Sequence, residues 1–261
     1  MHPSSARLLV SIIPFLTAGS LSAATINWGA ATGITSELDV STNGTLVRAY
    51  NFGLDGGTDP TPTTTILNGV AFTNFSTTTT TNTSHAVSSA HTIIPKAGGN
   101  SGTIAFIGAR SASGNPYNGM SANYQSFLST IAYAAGAASG GTSARNSYTF
   151  TLEGLTIGQT YALQIWFNDS RSGENRGGTI TGGPTVDVNT NASNSAGGVG
   201  QFVIGEFTAD AATQSFDFTA TGSNSVAALM NGYQLRAIPE PSLTLLGGLG
   251  FAIAAARRRR I

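Results

Sequence analysis

Cysteine is absent from all 261 residues. That excludes disulfides, thiolate metal sites, a cysteine nucleophile and lipid attachment through a thiol, so any core must hold by burial alone. Charge is also scarce. Asp, Glu, Lys and Arg make up 9% of the chain, against about 25% in an average soluble protein. With Arg7, Arg257, Arg258, Arg259, Arg260 and Glu240 set aside, seven basic and eleven acidic residues remain, which leaves the body near −4. A body without a basic stripe is no nucleic-acid partner. The single lysine, Lys96, follows Pro95 and opens no phosphate-binding loop.

Thr, Ser, Asn and 33 glycines stand where the charges would be, a composition suited to short strands joined by turns. Hydrophobic content of 40% is ample for a packed core. Length allows one large domain.

Both ends read as addresses. Arg7 and the apolar run at residues 8–16 precede small residues and a cut after Ala23 or Ala24, the pattern of a secretory signal peptide handed to the Sec translocon. Near the other end, Pro239, Glu240 and Pro241 precede fourteen uncharged residues, from Leu243 to Ala256, and then Arg257, Arg258, Arg259 and Arg260. Fourteen helical residues cover about 21 Å, short of a hydrocarbon core of about 30 Å. Snorkelling arginines extend the reach, and the positive-inside bias holds them at the cytoplasmic side. The two prolines keep Glu240 extended just outside the membrane.

This tail resembles the PEP-CTERM sorting signal of Gram-negative envelope proteins, over residues 239–261. The resemblance implies recognition of Pro239, Glu240 and Pro241 by an exosortase-type membrane protease, with the arginines as stop signal. It also implies a host that makes biofilm or extracellular polysaccharide. Residues 1–23 are then a signal segment, 24–237 the body and 238–261 the sorting signal. Transient membrane association runs through residues 243–256, and the destination is the cell surface or beyond.

The body reads as all-β, an antiparallel β-sandwich or jelly-roll-like single domain with one short helix. The flanking apolar segments are expected as an N-terminal signal helix and a C-terminal hydrophobic helix. TLVRAYNFG (45–53) alternates partly, and Asn68-Gly69 is a two-residue hairpin signal. Tyr148, Phe150 and Leu152 alternate, as do Tyr161, Leu163, Ile165 and Phe167. QFVIGEFTAD and TQSFDFTATG suggest an antiparallel pair, and residues 226–238 a last strand. Tyr124, Phe127, Leu128 and Ile131 recur at helical spacing behind a cap at Asn118 or Ser121, with Gly136 as the stop. The Thr-rich stretch 76–91 is a long loop or a polar edge strand.

Catalytic patterns are faint. Gly141-Thr142-Ser143-Ala144-Arg145 departs from a nucleophile elbow at its last glycine. Gly197-Gly198-Val199-Gly200 has no third glycine in a strand-turn-helix frame. His85 and His91 lack a third zinc ligand and read as surface histidines. Glu153, Asp169, Glu174 and Glu206 are carboxylates with no reason to pair at a glycosidase spacing. Asp187, Asn189 and Asn191 alternate like the opening of a calcium loop, but Ala192 replaces the turn glycine. No cofactor is called for beyond that weak structural Ca²⁺ candidate.

The densest polar cluster is WFNDSRSGENRGG. Trp166, Asn168, Asp169, Arg171, Glu174 and Arg176 could provide an aromatic platform and bidentate donors for a sugar, or a structural ion-pair loop beside a part-buried Trp166. The sequence therefore points to an exported, non-enzymatic structural or adhesive protein. Exopolysaccharide binding is the alternative, and glycoside chemistry a third reading.

Overall fold

Alternation with a period of two sets most of this chain in strands. The computed structural model describes residues 24–52, 64–75, 81–82, 85–87, 89–96, 103–107, 111, 113–135, 147–172, 177–221 and 227–239. The largest sheet runs β1 (Asn27–Trp28), β15 (Gln201–Thr208), β12 (Thr160–Phe167), β18 (Gly232–Ile238), β3 (Thr45–Phe52), β5 (Val70–Phe75), β4 (Thr64–Leu67), with β2 (Thr32–Gly33) also on β15. A six-stranded sheet runs β14 (Val186–Asn189), β13 (Gly177–Ile180), β16 (Gln214–Thr221), β11 (Ser147–Leu152), β8 (His91–Pro95), β7 (His85–Val87). A four-stranded sheet runs β17 (Leu229–Met230), β10 (Ile131–Ala135), β9 (Thr103–Ile107), β6 (Thr81–Asn82). Among the described residues every pairing is antiparallel except β3 with β5.

The first two sheets close on one apolar core. Tyr161, Leu163, Ile165 and Phe167 of β12, with Tyr233 and Leu235 of β18, meet Tyr148, Phe150 and Leu152 of β11 and Phe216 and Phe218 of β16. Ile104, Phe106, Ala132 and Ala134 add the third sheet to the same core. This is an all-β, sandwich-like body.

A second core lies on the opposite face of the large sheet. Helix α1 (Ala122–Ser129) covers that face with Tyr124, Phe127 and Leu128, packed with Ala49, Phe72, Trp166 and Phe202. The ring of Trp166 meets those of Phe127 and Phe72 edge-on at 5.3 and 5.6 Å. β12 is thus buried on both faces, which is why its sequence, TYALQIWF, is apolar at consecutive positions as well as alternate ones.

Local signals hold at the turns. Asn68 and Gly69 join β4 to β5 with φ of 45° and 74°, the pair of left-handed residues a type I′ hairpin needs. Ser121 caps α1, its hydroxyl accepting from the Tyr124 N–H at 3.2 Å.

Two expectations are corrected. α1 ends at Ser129 rather than near Gly136, and Ile131 begins β10. Thr130 and Ile131 are β-branched, and the Thr130 hydroxyl bonds the Phe127 carbonyl at 3.1 Å and Asn51 Oδ1 at 2.7 Å, ending the helix. β15 and β16 do not pair with each other: β15 lies against β12 in one sheet, β16 against β11 and β13 in the other. The stretch before His91 contributes strands β6 and β7.

Candidate functional site

The cluster that opens at Trp166 is interior. Trp166 is 0% exposed and donates its indole N–H to the Tyr124 hydroxyl at 3.1 Å. A ring sealed under α1 cannot stack on a sugar, so the aromatic platform is withdrawn. Asn168, Asp169 and Ser170 are buried as well. Asn168 Oδ1 accepts from the Gly200 N–H at 2.9 Å, and its amide donates to the Leu128 carbonyl at 3.1 Å. Asp169 takes Arg171 through both oxygens, at 2.8 and 2.6 Å. These groups tie the end of β12 to α1 and to the segment before β15. Glu174 and Arg176 lie outside the described residues.

Asn231 completes this lattice. Its Oδ1 accepts from the Asn168 N–H at 2.6 Å, while its amide donates to the carbonyls of Leu128, Thr130 and Asn168 at 2.9, 3.0 and 3.2 Å. An Asn side chain has two donors and one acceptor oxygen, and all of them are occupied here.

The calcium-loop candidates are spoken for. Asp187 is exposed and accepts from the Thr179 hydroxyl at 2.7 Å. Asn189 accepts from the Asn191 N–H at 2.8 Å, an Asx turn. Asn191 is buried, donating to the carbonyls of Arg171 and Ser195, both at 3.0 Å. The three side chains serve three different partners and do not converge. Among the described residues no three His, Cys, Asp or Glu side chains gather as a metal-holding group.

Nor are the carboxylates brought together. Glu153 follows β11 and accepts from the Thr92 hydroxyl, Asp169 pairs with Arg171, and Glu206 stands exposed on β15. His91 is 0% exposed and shares a 2.9 Å hydrogen bond with the Tyr233 hydroxyl, which corrects its reading as a surface histidine. The side chain of His85 lies outside the described residues.

What the body does present to solvent is the outer face of the six-stranded sheet. Thr92, Thr149, Thr151, Ser215, Thr219 and Thr179 stand there on alternate positions. Cross-strand bonds order them: the Thr149 hydroxyl donates to Asp217 at 2.7 Å, and Thr151 and Ser215 share a bond of 2.8 Å. Asp217 also takes Lys96.

At the β13–β14 side this face deepens into an open groove of about 620 Å³, lined by Gly177, Thr179, Asp187, Val188, Asn189, Gln201 and Thr221. Gln201 reaches across from the large sheet, its Oε1 accepting from the Asn189 N–H at 2.7 Å. Gly177 keeps the floor low: a Cβ there would sit 3.0 Å from the Val188 carbonyl and 3.3 Å from Thr221 Oγ1. The described lining residues offer hydroxyls, amides and one carboxylate, with neither a basic group nor an aromatic ring among them. That chemistry suits a neutral, hydroxyl-rich ligand and opposes an anion.

The hydroxyl face was missed in the sequence, although one signal was present. The polar halves of SYTFTL and QSFDFTAT carry Ser, Thr and Asp at every second residue.

The addresses fall mostly outside the structure's reach. Ala24 is half-buried, its carbonyl accepting from the Gln214 amide at 2.8 Å, and Pro239 is exposed just past β18. Ala23, Glu240, Pro241, residues 243–256 and Arg257 to Arg260 lie outside the described residues. Among the described residues no helix is long and apolar enough to cross a membrane. Comparison with protein-family models, with curated proteins and with solved structures gives no match for this chain.

Proposed function

We propose that this chain is an exported protein of the cell surface or extracellular matrix, released from a sorting tail at Pro239-Glu240-Pro241. Its β-sandwich then serves a structural or adhesive role in a hydrated polymer. The observation that carries the adhesive part is the outer face of the six-stranded sheet, an ordered array of hydroxyls interleaved with the Lys96–Asp217 pair, Asp187 and the exposed Ile94. Each hydroxyl offers a modest contact, so useful adhesion comes from many copies acting on one polymer.

The groove beside Asp187 supports a second reading, a carbohydrate-binding module for exopolysaccharide. Its lining is polar and hydroxyl-rich, and it lies on a sheet face rather than on the Trp166 loop. Without an aromatic ring its affinity rests on hydrogen bonds alone, which exchange with water at little net gain.

One experiment addresses export and adhesion together. Protein harvested from the medium and matrix of the producing cells is weighed by mass spectrometry, then sedimented with the purified matrix polysaccharide. The expected result is a chain beginning after Ala23 or Ala24, lacking residues beyond the Pro-Glu-Pro region, that pellets with the polymer. An intact tail overturns the sorting reading, and a processed chain that stays in the supernatant overturns the adhesive one.

A further inference from the structure

Both ends of the described body leave from one end of the sandwich. Ala24 is bonded to Gln214, which pairs with Leu152 at the end of β11. Ile238 pairs with Thr160 at the start of β12, and its carbonyl accepts from the Gln159 amide at 2.8 Å. The turn from Leu152 to Thr160 and the loop after Thr208 close this same end, where the Gly158 N–H donates to the Ala209 carbonyl at 2.7 Å.

Three of the six large hydrophobic side chains exposed among the described residues lie towards this end: Ile157 at 66%, Val47 at 45% and Leu46 at 36%. Ile157 lies in the turn before Thr160. Leu46 pairs with Arg236, two residues from the end of β18, and Val47 sits at the register shift beside it. β12, β18 and β3 are adjacent strands, so the three side chains span about 10 Å of sheet width. Exposed aliphatics gathered at one rim, rather than scattered singly, mark a contact surface.

The sequence that follows decides what the contact is. Three residues, 240–242, separate Pro239 from the apolar run that opens at Leu243. Even fully extended, the chain from Pro239 to Leu243 reaches about 14 Å. The headgroup layer on one side of a bilayer takes up about 5–7 Å of that. The remainder, about 7–9 Å, keeps this end of the body within little more than a side chain's length of the headgroups.

We propose that this end of the sandwich is a membrane-contact face, on which Ile157, Leu46 and Val47 rest at the headgroup–acyl boundary while the tail is in place. The proposal rests on the reading of residues 243–256 as a membrane segment. It adds an orientation: the sandwich stands on this end, with the turn around Ser195 farthest from the lipid. That turn lies at the other end of β12, where the Gly197 N–H donates to the Ser170 carbonyl at 2.9 Å. Contact at this face holds Pro239 at the lipid surface, within reach of a membrane-embedded protease.

Because the chain has no cysteine, a single introduced thiol reports its own position. Full-length I157C and S195C, each carrying a polarity-sensitive fluorophore, are mixed with vesicles of phosphatidylethanolamine and phosphatidylglycerol containing nitroxide-labelled lipid. Both are sedimented with the vesicles. The expected result is that both proteins pellet, the label at 157 shifts to the blue and is quenched, and the label at 195 keeps its aqueous spectrum. Pelleting with an aqueous label at 157 overturns the contact face and leaves the anchoring reading standing. Lipid contact at both positions overturns the orientation. A chain that stays in the supernatant overturns the anchoring reading, and the contact face with it.

Discussion

Asn231 is the residue on which most local structure depends. Its side chain links the ends of α1 and β12 to the start of β18 without any charge. Asn231→Ala strands buried carbonyls and an N–H without partners, and each such group costs about 1–3 kcal/mol. We expect a loss of about 3 kcal/mol, read as a lower urea midpoint with an unchanged denaturant slope.

Phenols make the opposite case. Burial raises the ionisation of Tyr124, Tyr148 and Tyr233 well above the ordinary tyrosine value of 10, and Asp39 pushes Tyr124 up further. In the unfolded chain these phenols ionise near pH 10, whereas in the fold they stay protonated. Their stabilisation is therefore complete below pH 10 and is lost as pH rises beyond it. Phenolate absorbance from the three should appear only together with loss of near-ultraviolet circular dichroism. Tyr148 has no partner for its hydroxyl. Tyr148→Phe should therefore stabilise the protein by about 1 kcal/mol and soften the alkaline transition.

At the scale of elements, α1 is short, and its cap matters more than its propensity. Ser121 accepts from Tyr124 N–H and donates to Glu37. Ser121→Ala should cost about 1 kcal/mol, visible as a lower midpoint in chemical denaturation.

Elements were the most legible level in the sequence. Alternation placed β3, β11, β12, β15, β16 and β18, and Asn68-Gly69 placed the hairpin. Which sheet each strand joins was not legible, because the period of two is the same in both sheets. The partners of β15 and β16 lie far away in the chain. The platform reading of Trp166 failed for the same reason: alternation puts the ring opposite Ile165 and Phe167, on the face that would meet solvent. Only α1, brought in from about forty residues upstream, covers that face. The reading as an ion-pair loop beside a part-buried Trp166 agrees with its burial and with the Asp169–Arg171 pair. The end of α1 was legible in Thr130-Ile131 but was masked by the helical spacing of Ile131.

At the scale of the whole molecule, the hydroxyl face with its groove and the lipid-side rim occupy different surfaces. A body standing on the rim carries its six-stranded sheet upright, with the hydroxyl face open to the surroundings.

The position of β18 has a further consequence, for biogenesis. It is the last of the described strands to be synthesised, yet it is hydrogen-bonded on both sides, by β12 and by β3. A polypeptide issuing from a ribosome or a pore therefore exhibits two unsatisfied ladders until residue 238 has emerged. Pairings this remote in sequence also form slowly. Released chains that end at Asn231 should be digested by a dilute protease that spares those ending at Pro239. Such a timetable leaves the polypeptide loose enough to thread a narrow conduit for the entire journey, and lets it set only on arrival.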